Sequence, residues 1–310
     1  MDRVTDNKII LITQKTRLEN LIQRYNTIEQ AKFYIEHHGG DFSDYRLEHD
    51  TYYDAVKTIS GFLQGYARFQ VIDRDFVPKY LFGKKDLVVA VGRDGLIANT
   101  LKYLDEQQLI GVNPDPKRWD GVLLPFLADD ISKIVPEFYK GLRKNKRITL
   151  AKASLNDGQV LYGVNDLFIG QKGHASARYI LCHGNRSETQ SSSGIIVSTG
   201  LGSTGWFKSI LAGARGIDRF YGVDPRTVDQ RFSCDSRFLM YNVREPYPST
   251  STGADMVFGK IADKESFTVT SLMPENGVIF SDGVEQDFLQ FNSGSIAEIG
   301  VAEKSGTLVV

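Results

Sequence analysis

The N-terminal half of the chain alternates short apolar runs with segments of helical periodicity. The runs at residues 8–13 (KIILIT) and 86–91 (DLVVAV) are rich in β-branched and aliphatic side chains, which is typical of strands buried on both faces. The spacing of apolar residues predicts helices over residues 16–38, 52–64 and 96–104. Because strands and helices follow one another in this order, the sequence predicts an α/β domain with a parallel sheet and crossover helices.

The pattern of the sequence changes after about residue 147. From there on, strand-like apolar runs follow one another with turn residues between them. One helix, predicted over residues 203–213, interrupts this series. Short strands without crossover helices predict an antiparallel β domain. We therefore expect an α/β domain over residues 1–145, which carries a Gly-x-Asp-Gly turn, and a β-rich domain over residues 146–310.

Charge and cysteine content give no support for a nucleic-acid partner, a membrane-surface partner or a zinc site. The chain has 37 basic and 38 acidic residues, and this balance gives no support for a nucleic-acid or membrane-surface partner. Cys182 and Cys234 stand far apart and form no zinc motif, which fits a reducing compartment. The first apolar run is too short to span a membrane, and the acidic residues around it are unlike a transit peptide. We therefore expect a cytoplasmic protein.

The first segment with chemical potential is 89–96 (VAVGRDGL), in which an apolar strand runs into a Gly-x-Asp-Gly turn that opens a helix. Ligands of open α/β sheets bind at the carboxyl ends of strands, and a helix N-terminus offers free N–H groups to a phosphate. Gly92 and Gly95 let the backbone approach a phosphate, while Asp94 suits a base that takes a proton from an attacking hydroxyl. The alternative is a plain turn with an aspartate helix cap, and spacing alone leaves both open.

The second segment is 194–206 (GIIVSTGLGSTGW), where another apolar strand ends in a turn rich in glycine and hydroxyl residues. Its N–H groups and hydroxyls suit a phosphate or a ribose, and Trp206 suits stacking on a nucleobase or on nicotinamide. The alternative is a helix-capping serine–threonine pair with Trp206 in the core. The hydroxyls in question belong to Ser198, Thr199, Ser203 and Thr204.

The third segment is 162–170 (YGVNDLFIG), in which Asn165 and Asp166 interrupt an otherwise apolar strand. Buried polar groups need partners, so such a pair marks either the end of a strand or a surface that faces a ligand. The sequence alone favours the end of a strand.

Taken together and in this order, the three segments resemble motifs of the NAD kinase family. That family has a Gly-Gly-Asp-Gly-Thr loop, an Asn-Glu pair on a strand and a Ser-Thr-x-x-Gly-Ser-Thr-Ala-Tyr loop. The mitochondrial type of NAD kinase is more similar still, in segments such as 109–126 (LIGVNPDPKRWDGVLLPF), 165–179 (NDLFIGQKGHASARY) and 278–299 (VIFSDGVEQDFLQFNSGSIAEI). The resemblance extends from about residue 86 to residue 300.

The resemblance implies an NAD kinase-like fold and transfer of the γ-phosphoryl group of ATP, with Mg²⁺, to the 2′-hydroxyl of the adenosine ribose of NAD. It implies that Asp94 is the catalytic base and that Gly92 and Gly95 bind the donor phosphates. The side chain of Arg93 has no counterpart in the family loop, but a guanidinium binds phosphates well, so we expect Arg93 to contact the donor phosphates too. The resemblance also implies a homodimer or a larger homo-oligomer, with NAD and ATP as partners. The residues that it places around NAD are Asn165, Asp166, Thr199, Gly202, Ser203, Thr204, Trp206 and Asp282.

Four positions depart from the family's pattern. Arg93 replaces the second glycine of the loop, Leu96 replaces its threonine, and Asp166 replaces the glutamate of the Asn-Glu pair. Ser193 stands where the general family has aspartate, although the mitochondrial type also has serine there. These changes leave a second hypothesis open, which is a non-catalytic NAD(P)-binding protein with an altered donor loop. A third is a lipid or sugar kinase, because related lipid kinases share the Gly-Gly-Asp-Gly loop.

Overall fold

The computed structural model describes residues 5–223 and 231–310. The chain forms two compact units. The first comprises Met1–Lys146 together with Thr307–Val310, and the second comprises Arg147–Gly306.

The first unit contains a parallel sheet, as the alternating pattern predicts. Its strands are β1 (Thr5–Thr13), β2 (Ala67–Asp73), β3 (Leu87–Val91) and β4 (Gln108–Val112). They lie in the order β2-β1-β3-β4, and each neighbouring pair is parallel. The last residues of the chain extend the sheet, because Thr307 and Leu308 pair in parallel with β4. Every residue of β3 is buried, which agrees with its uniformly apolar sequence.

The helices of the first unit differ from the expected pattern at its beginning. The single helix predicted over residues 16–38 is wrong, because Asn26 takes a left-handed conformation (φ 68°) and ends the first helix. The Thr27 side chain then caps a second helix by accepting the N–H of Gln30. The helices are α1 (Arg17–Tyr25), α2 (Ile28–His37), α3 (Phe42–Tyr66), α4 (Asp94–Leu101) and α5 (Ile131–Tyr139).

Helix α3 begins ten residues before its predicted start at residue 52 and packs along the sheet. Tyr52, Ala55, Ile59 and Leu63 recur at helical spacing and bury their side chains in the core of the unit with residues of β1 and β3. The first three turns of α3, which sequence periodicity did not reveal, carry Glu48. Glu48 is buried although it is charged, so it requires partners.

The second unit is built of antiparallel strand pairs, and the predicted antiparallel β domain is confirmed. One sheet has the strand order β12-β11-β10-β7-β14-β15, and β16, β13, β8 and β9 are neighbours in another, with β5 and β6 beside them. The strands are β5 (Asn145–Leu155), β6 (Val160–Gly163), β7 (Asp166–Gln171), β8 (Ala177–His183), β9 (Arg186–Ser192), β10 (Ile195–Ser198), β11 (Phe238–Val243), β12 (Phe258–Ala262), β13 (Phe267–Ser271), β14 (Gly277–Ser281), β15 (Phe288–Gln290) and β16 (Ile296–Val309).

The two faces of strand β7 pack against different parts of the second unit. Leu167 and Ile169 belong to the main core of the second unit. Because side chains alternate along a strand, Phe168 points to the opposite face. There it packs with Trp206 and Ile210 of helix α6 (Trp206–Phe220), the helix that the sequence places at 203–213.

None of the helices in the described part of the chain combines the length and the apolar character needed to cross a membrane.

Candidate active site

The phosphate turn predicted from the sequence lies at the topological switch point of the first unit's sheet. The chain leaves β1 toward one edge of the sheet and leaves β3 toward the other, so these two strands flank the switch point. Ligands of open α/β sheets bind in the crevice at such a point, at the carboxyl ends of the strands. Gln14 follows β1 here, and Gly92 and Arg93 follow β3.

Tyr52 links the ends of the two central strands. Its hydroxyl accepts the N–H of Gln14 at 2.8 Å and donates to the carbonyl oxygen of Val91 at 3.2 Å. Burial raises the pKa of Tyr52, so the hydroxyl keeps its proton and can act as a donor. The Tyr52 hydroxyl therefore ties together the two chain segments that border the crevice.

Gly92 is required by close packing within the turn. A Cβ atom on Gly92 would lie 2.9 Å from Gln14 Nε2 and 2.9 Å from Leu96 Cδ2. Leu96 is itself 1% exposed. The leucine that stands in place of the family's threonine therefore fills the interior next to the turn and presents no group to a ligand.

Asp94 is half-buried and is oriented by the backbone of a neighbouring segment. Its Oδ1 atom accepts the N–H of Leu123 at 2.7 Å. The N-cap of α4 is Arg93, and no side chain caps this helix. The alternative of an aspartate helix cap is therefore not what the structure contains, and the Asp94 carboxylate is held beside the switch point.

The first turn of α4 supplies the remaining features of a phosphate site. Gly95 is exposed, and a Cβ atom on it would meet nothing within 4 Å. The first N–H groups of a helix have no partner within the helix, and they carry the positive end of its dipole. The Leu96 N–H already donates to the Arg93 carbonyl oxygen at 2.8 Å, whereas the N–H groups of Asp94 and Gly95 make no hydrogen bond within the described residues.

The partly exposed side chain of Arg93 is held by two neighbours. Its Nη2 atom lies 3.1 Å from Glu48 Oε1, and its guanidinium carbon lies 4.3 Å from the centroid of the Trp119 ring. Glu48 forms a second, short ion pair with Arg17. The arginine that replaces a family glycine is thus built into a network of charged side chains.

In the second unit, Asp282 and Thr199 hold the backbone that precedes β7. The Asp282 carboxylate accepts N–H groups of Val164 at 3.1 Å and of Asn165 at 2.6 Å. The Thr199 hydroxyl donates to the Val164 carbonyl oxygen at 2.6 Å. Both side chains were predicted to contact NAD. In the structure, both make hydrogen bonds to the main chain of the segment that precedes β7.

The Asn165–Asp166 pair lies at the start of β7, and its two side chains differ in their surroundings. Within the described residues, the amide group of Asn165 makes no hydrogen bond and stays available to a ligand. Asp166 is 6% exposed, and burial, followed by the charge of Asp282, raises the pKa of its carboxyl to about 7. A carboxyl group with such a pKa donates a hydrogen bond in its neutral form and accepts in its charged form.

The hydroxyl-rich loop after β10 is tightly wound. A Cβ atom on Gly202 would overlap the carbonyl oxygen of Asn165, so only glycine fits there. The Ser203 hydroxyl donates to the Gly200 carbonyl oxygen at 2.6 Å, and the Thr204 hydroxyl donates to that of Leu201 at 3.2 Å. These hydroxyls therefore shape the turn that opens α6 and point their protons toward the backbone.

Trp206 borders a cavity of about 260 Å³ within the second unit. Its ring stacks on Phe168 at 5.9 Å between centroids with 6° between planes, and Phe168 stacks in turn on Phe280 at 4.7 Å. The guanidinium of Arg244 lies 5.4 Å from the Trp206 centroid. Ser193, at the position of the family's aspartate, also lines the cavity. An aromatic floor with a cation beside it suits a nucleobase or nicotinamide ring with a nearby phosphate.

Sequence reasoning missed several of these residues. Phe168 and Phe280 sit in apolar strands, and the sequence does not say which face of each strand carries a ligand. Arg244 lies in segment 242–246 (NVREP), for which the sequence predicted a resemblance to the mitochondrial type, and that resemblance was a usable signal. Glu48 and Trp119 had no signal, because their relation to Arg93 arises only in three dimensions.

Two solved structures share this architecture along almost the whole chain. The chain is similar to an NAD kinase from Archaeoglobus fulgidus in complex with ATP, with a TM-score of 0.55, 15% identity, and coverage of 97% of this chain and 92% of that chain. It is also similar to yeast NADH kinase complexed with NADH, with a TM-score of 0.60, 13% identity, and coverage of 99% and 84%. The chain has the fold of the NAD kinases.

The NAD kinase resemblance seen in the sequence is thus confirmed at the level of the fold. No protein-family model matches the sequence, and a sequence search of curated proteins finds no match. The special similarity to the mitochondrial type stays a prediction.

Proposed function

We propose that this protein is an NAD kinase that transfers the γ-phosphoryl group of ATP to the 2′-hydroxyl of the adenosine ribose of NAD and releases NADP and ADP. One observation carries the proposal. In an NAD kinase fold, a carboxylate stands at the carboxyl end of β3, at the switch point, held by the Leu123 N–H beside the free N–H groups of a helix N-terminus. Phosphoryl transfer needs a base and phosphate donors together.

In this proposal Asp94 takes the proton of the 2′-hydroxyl as its oxygen forms a bond to the γ-phosphorus. The bond between that phosphorus and the β–γ bridging oxygen breaks, and ADP leaves with the electron pair. Gly95, which is exposed, permits the backbone to approach the donor phosphates, while Gly92 permits the close packing within the turn. Leu123 positions the base through its backbone N–H, which leaves the second carboxylate oxygen for the substrate proton.

The dinucleotide would be recognised by the second unit. The Asn165 amide and the Asp166 carboxyl offer hydrogen bonds to ribose hydroxyls, and Trp206 offers its ring to a base. Thr199, Gly202 and Asp282 would act indirectly, because they contact or closely approach the backbone of Val164 and Asn165. Ser203 would act indirectly as well, by shaping the turn that opens α6. Thr204 is exposed and remains a direct ligand in the proposal.

Mg²⁺ is proposed to arrive with ATP. Within the described residues, no group of three or more histidine, cysteine, aspartate or glutamate side chains is arranged to hold a metal ion. Mg²⁺ at nucleotide sites commonly keeps several waters and is bound largely by substrate phosphates, so the proposal needs no cage of protein ligands and assigns no residue to the metal. The ion would neutralise charge on the donor phosphates. Homodimer formation and a cytoplasmic location also stay predictions.

The second candidate is a non-catalytic NAD(P)-binding protein of the same fold. It is favoured by the engagement of Arg93 with Glu48 and by the burial of Leu96, which together alter the loop that would cradle the donor. Calorimetry with NAD and with NADP tests it, since this candidate predicts binding without any turnover.

The enzyme proposal is tested by incubating the protein with NAD, ATP and Mg²⁺ and separating the products by chromatography. We expect NADP, and we expect no phosphorylated product when NAD is replaced by a panel of sugars and diacylglycerols. Phosphorylation of a lipid or a sugar in place of NAD would instead favour the third hypothesis. Binding of NAD with no NADP above the background of Asp94→Asn would favour the non-catalytic candidate.

A further inference from the structure

The crevice at the switch point of the first unit is almost filled by side chains. The cavity that remains is about 20 Å³, and the residues around it include Gln14, Glu48, Gly92, Arg93 and Trp119. That space holds about one water molecule and is too small for a phosphate group. A polyphosphate at this end of the sheet must therefore contact the outer surface of these side chains.

Arg93 forms part of that outer surface. Its side chain is 40% exposed, although one edge of the guanidinium meets Glu48 and one face lies over Trp119. A guanidinium has five N–H donors, and the contact with Glu48 uses one of them. The remaining donors form a planar fork that matches two oxygens of a phosphate.

Glu48 is a fixed partner for Arg93. Its side chain is 8% exposed, and it is also paired with Arg17. Arg17 pairs with Asp44 at 2.8 Å, and Asp44 pairs with Arg118 at 2.6 Å. Arg118 and Arg17 lower the pKa of Asp44 to about 2, so Asp44 stays charged at physiological pH. Glu48 cannot turn away without breaking pairs that are already made.

We propose that Glu48 and Trp119 are positioning residues that hold Arg93 as a ligand of the donor's polyphosphate. The glycine of related loops offers only backbone to the donor, whereas this chain adds a preoriented side-chain cation. The inference rests on the proposed kinase function, and it names the class of ligand that the site binds. That class is a chain of linked phosphate groups, which ATP and inorganic polyphosphate share.

The test measures binding of the donor by calorimetry in the absence of NAD. The probes are a non-hydrolysable ATP analogue with Mg²⁺, inorganic tripolyphosphate with Mg²⁺, and adenosine. Loss of an arginine–phosphate contact is expected to weaken binding of both phosphate probes by roughly tenfold or more in Arg93→Met. Glu48→Gln, which leaves Arg93 present but less firmly held, should weaken binding by a smaller factor. Adenosine binding should not change.

Arg143→Met is the matched control. Arg143 is also paired with a glutamate, Glu137 at 2.7 Å, and also lies over an aromatic ring, Phe126 at 5.3 Å, but it does not border the crevice. Its replacement should leave binding of every probe unchanged. Weakening of the ATP analogue but not of tripolyphosphate would show that Arg93 reads the nucleoside, and would overturn the inference.

Steady-state kinetics separates positioning from a merely structural role. In Arg93→Met and Glu48→Gln we expect KM for ATP to rise, while KM for NAD and kcat change by less than about threefold. Arg93→Lys keeps the charge but lacks the planar fork, so it should recover only part of the binding. Unchanged or tighter binding in Arg93→Met would refute the inference and show that Arg93 obstructs the site.

The binding arm also separates this inference from the proposed function. Weaker donor binding in Arg93→Met without any NADP from the unaltered protein would sustain the inference and reject the kinase reaction. NADP formation with unchanged donor binding in Arg93→Met would reject the inference alone.

Discussion

The buried carboxyl of Asp166 makes the stability of the second unit depend on pH. Burial and the neighbouring Asp282 charge raise its pKa from 3.8 to about 7. The folded state therefore binds this proton more tightly than the unfolded state does. Its contribution to stability is fully present below about pH 4 and is lost progressively as pH rises through about 7. Asparagine at this position has nearly the same shape and no charge to bury.

The size of the effect follows from the difference between the two pKa values. A rise from 3.8 to about 7 corresponds to roughly 4 kcal/mol of unfolding free energy once the carboxyl is ionised in both states. The full difference applies, because Asp166 is only 6% exposed and solvent therefore screens its charge little. Above about pH 8, Asp166→Asn should be more stable than the unaltered protein by up to this amount, and the advantage should shrink toward pH 4.

The assay is urea denaturation followed by tryptophan fluorescence. The chain has two tryptophans, of which Trp119 is in the first unit and Trp206 in the second. A Trp119→Phe background therefore lets the signal report on the second unit. Unfolding free energies are compared between about pH 5 and about pH 8.5. Asp255→Asn, at an exposed aspartate of the same unit, is the control and should not change the pH dependence.

A pH-independent difference between Asp166→Asn and the unaltered protein would refute this reasoning. It would mean that the carboxyl is either hydrated or compensated by a donor, and that its burial does not govern its ionisation.

Two further substitutions test the supporting structure of the two sites. Thr199→Val removes the hydroxyl that donates to Val164 and leaves a buried carbonyl oxygen without that partner, so thermal and urea denaturation should show a loss of about 1–3 kcal/mol, and KM for NAD should rise. Leu96→Thr restores the family's residue at a position that is 1% exposed; we expect a loss of about 2 kcal/mol in stability and no gain in NADP formation. A higher rate of NADP formation in Leu96→Thr would instead show that the donor loop needs the threonine hydroxyl.

The spacing of apolar residues predicted most of the strands and helices, because in each unit the buried positions are occupied by apolar side chains. The all-apolar runs became buried parallel strands, as β3 shows with five buried residues of five. The exception at residues 16–38 has a local cause, since a left-handed Asn26 and a threonine cap interrupt an apolar pattern that continues through both helices. Apolar spacing records which residues are buried, and it does not record whether one helix or two buries them.

The candidate site was less predictable, because its contacts join residues that are distant in sequence. The Asp282 carboxylate accepts the backbone N–H of Asn165, which is 117 residues away, whereas the resemblance placed Asp282 near NAD and gave no sign of this contact. Arg93 is joined to Glu48 across 45 residues. Motif order located the segments that matter. Only the three-dimensional arrangement separates side chains without a hydrogen-bond partner among the described residues, such as Asn165, from those that hold the backbone, such as Thr199.

The central claim is that Asp94 is the base of an NAD kinase reaction. The measurement is the rate of NADP formation from NAD, ATP and Mg²⁺ at saturating concentrations, for the unaltered protein and for Asp94→Asn. Asparagine keeps an oxygen that can accept the Leu123 N–H, so the loop should stay folded. We expect the rate to fall by about 10²–10⁴-fold with little change in NAD binding. Equal rates for the two proteins would contradict the claim.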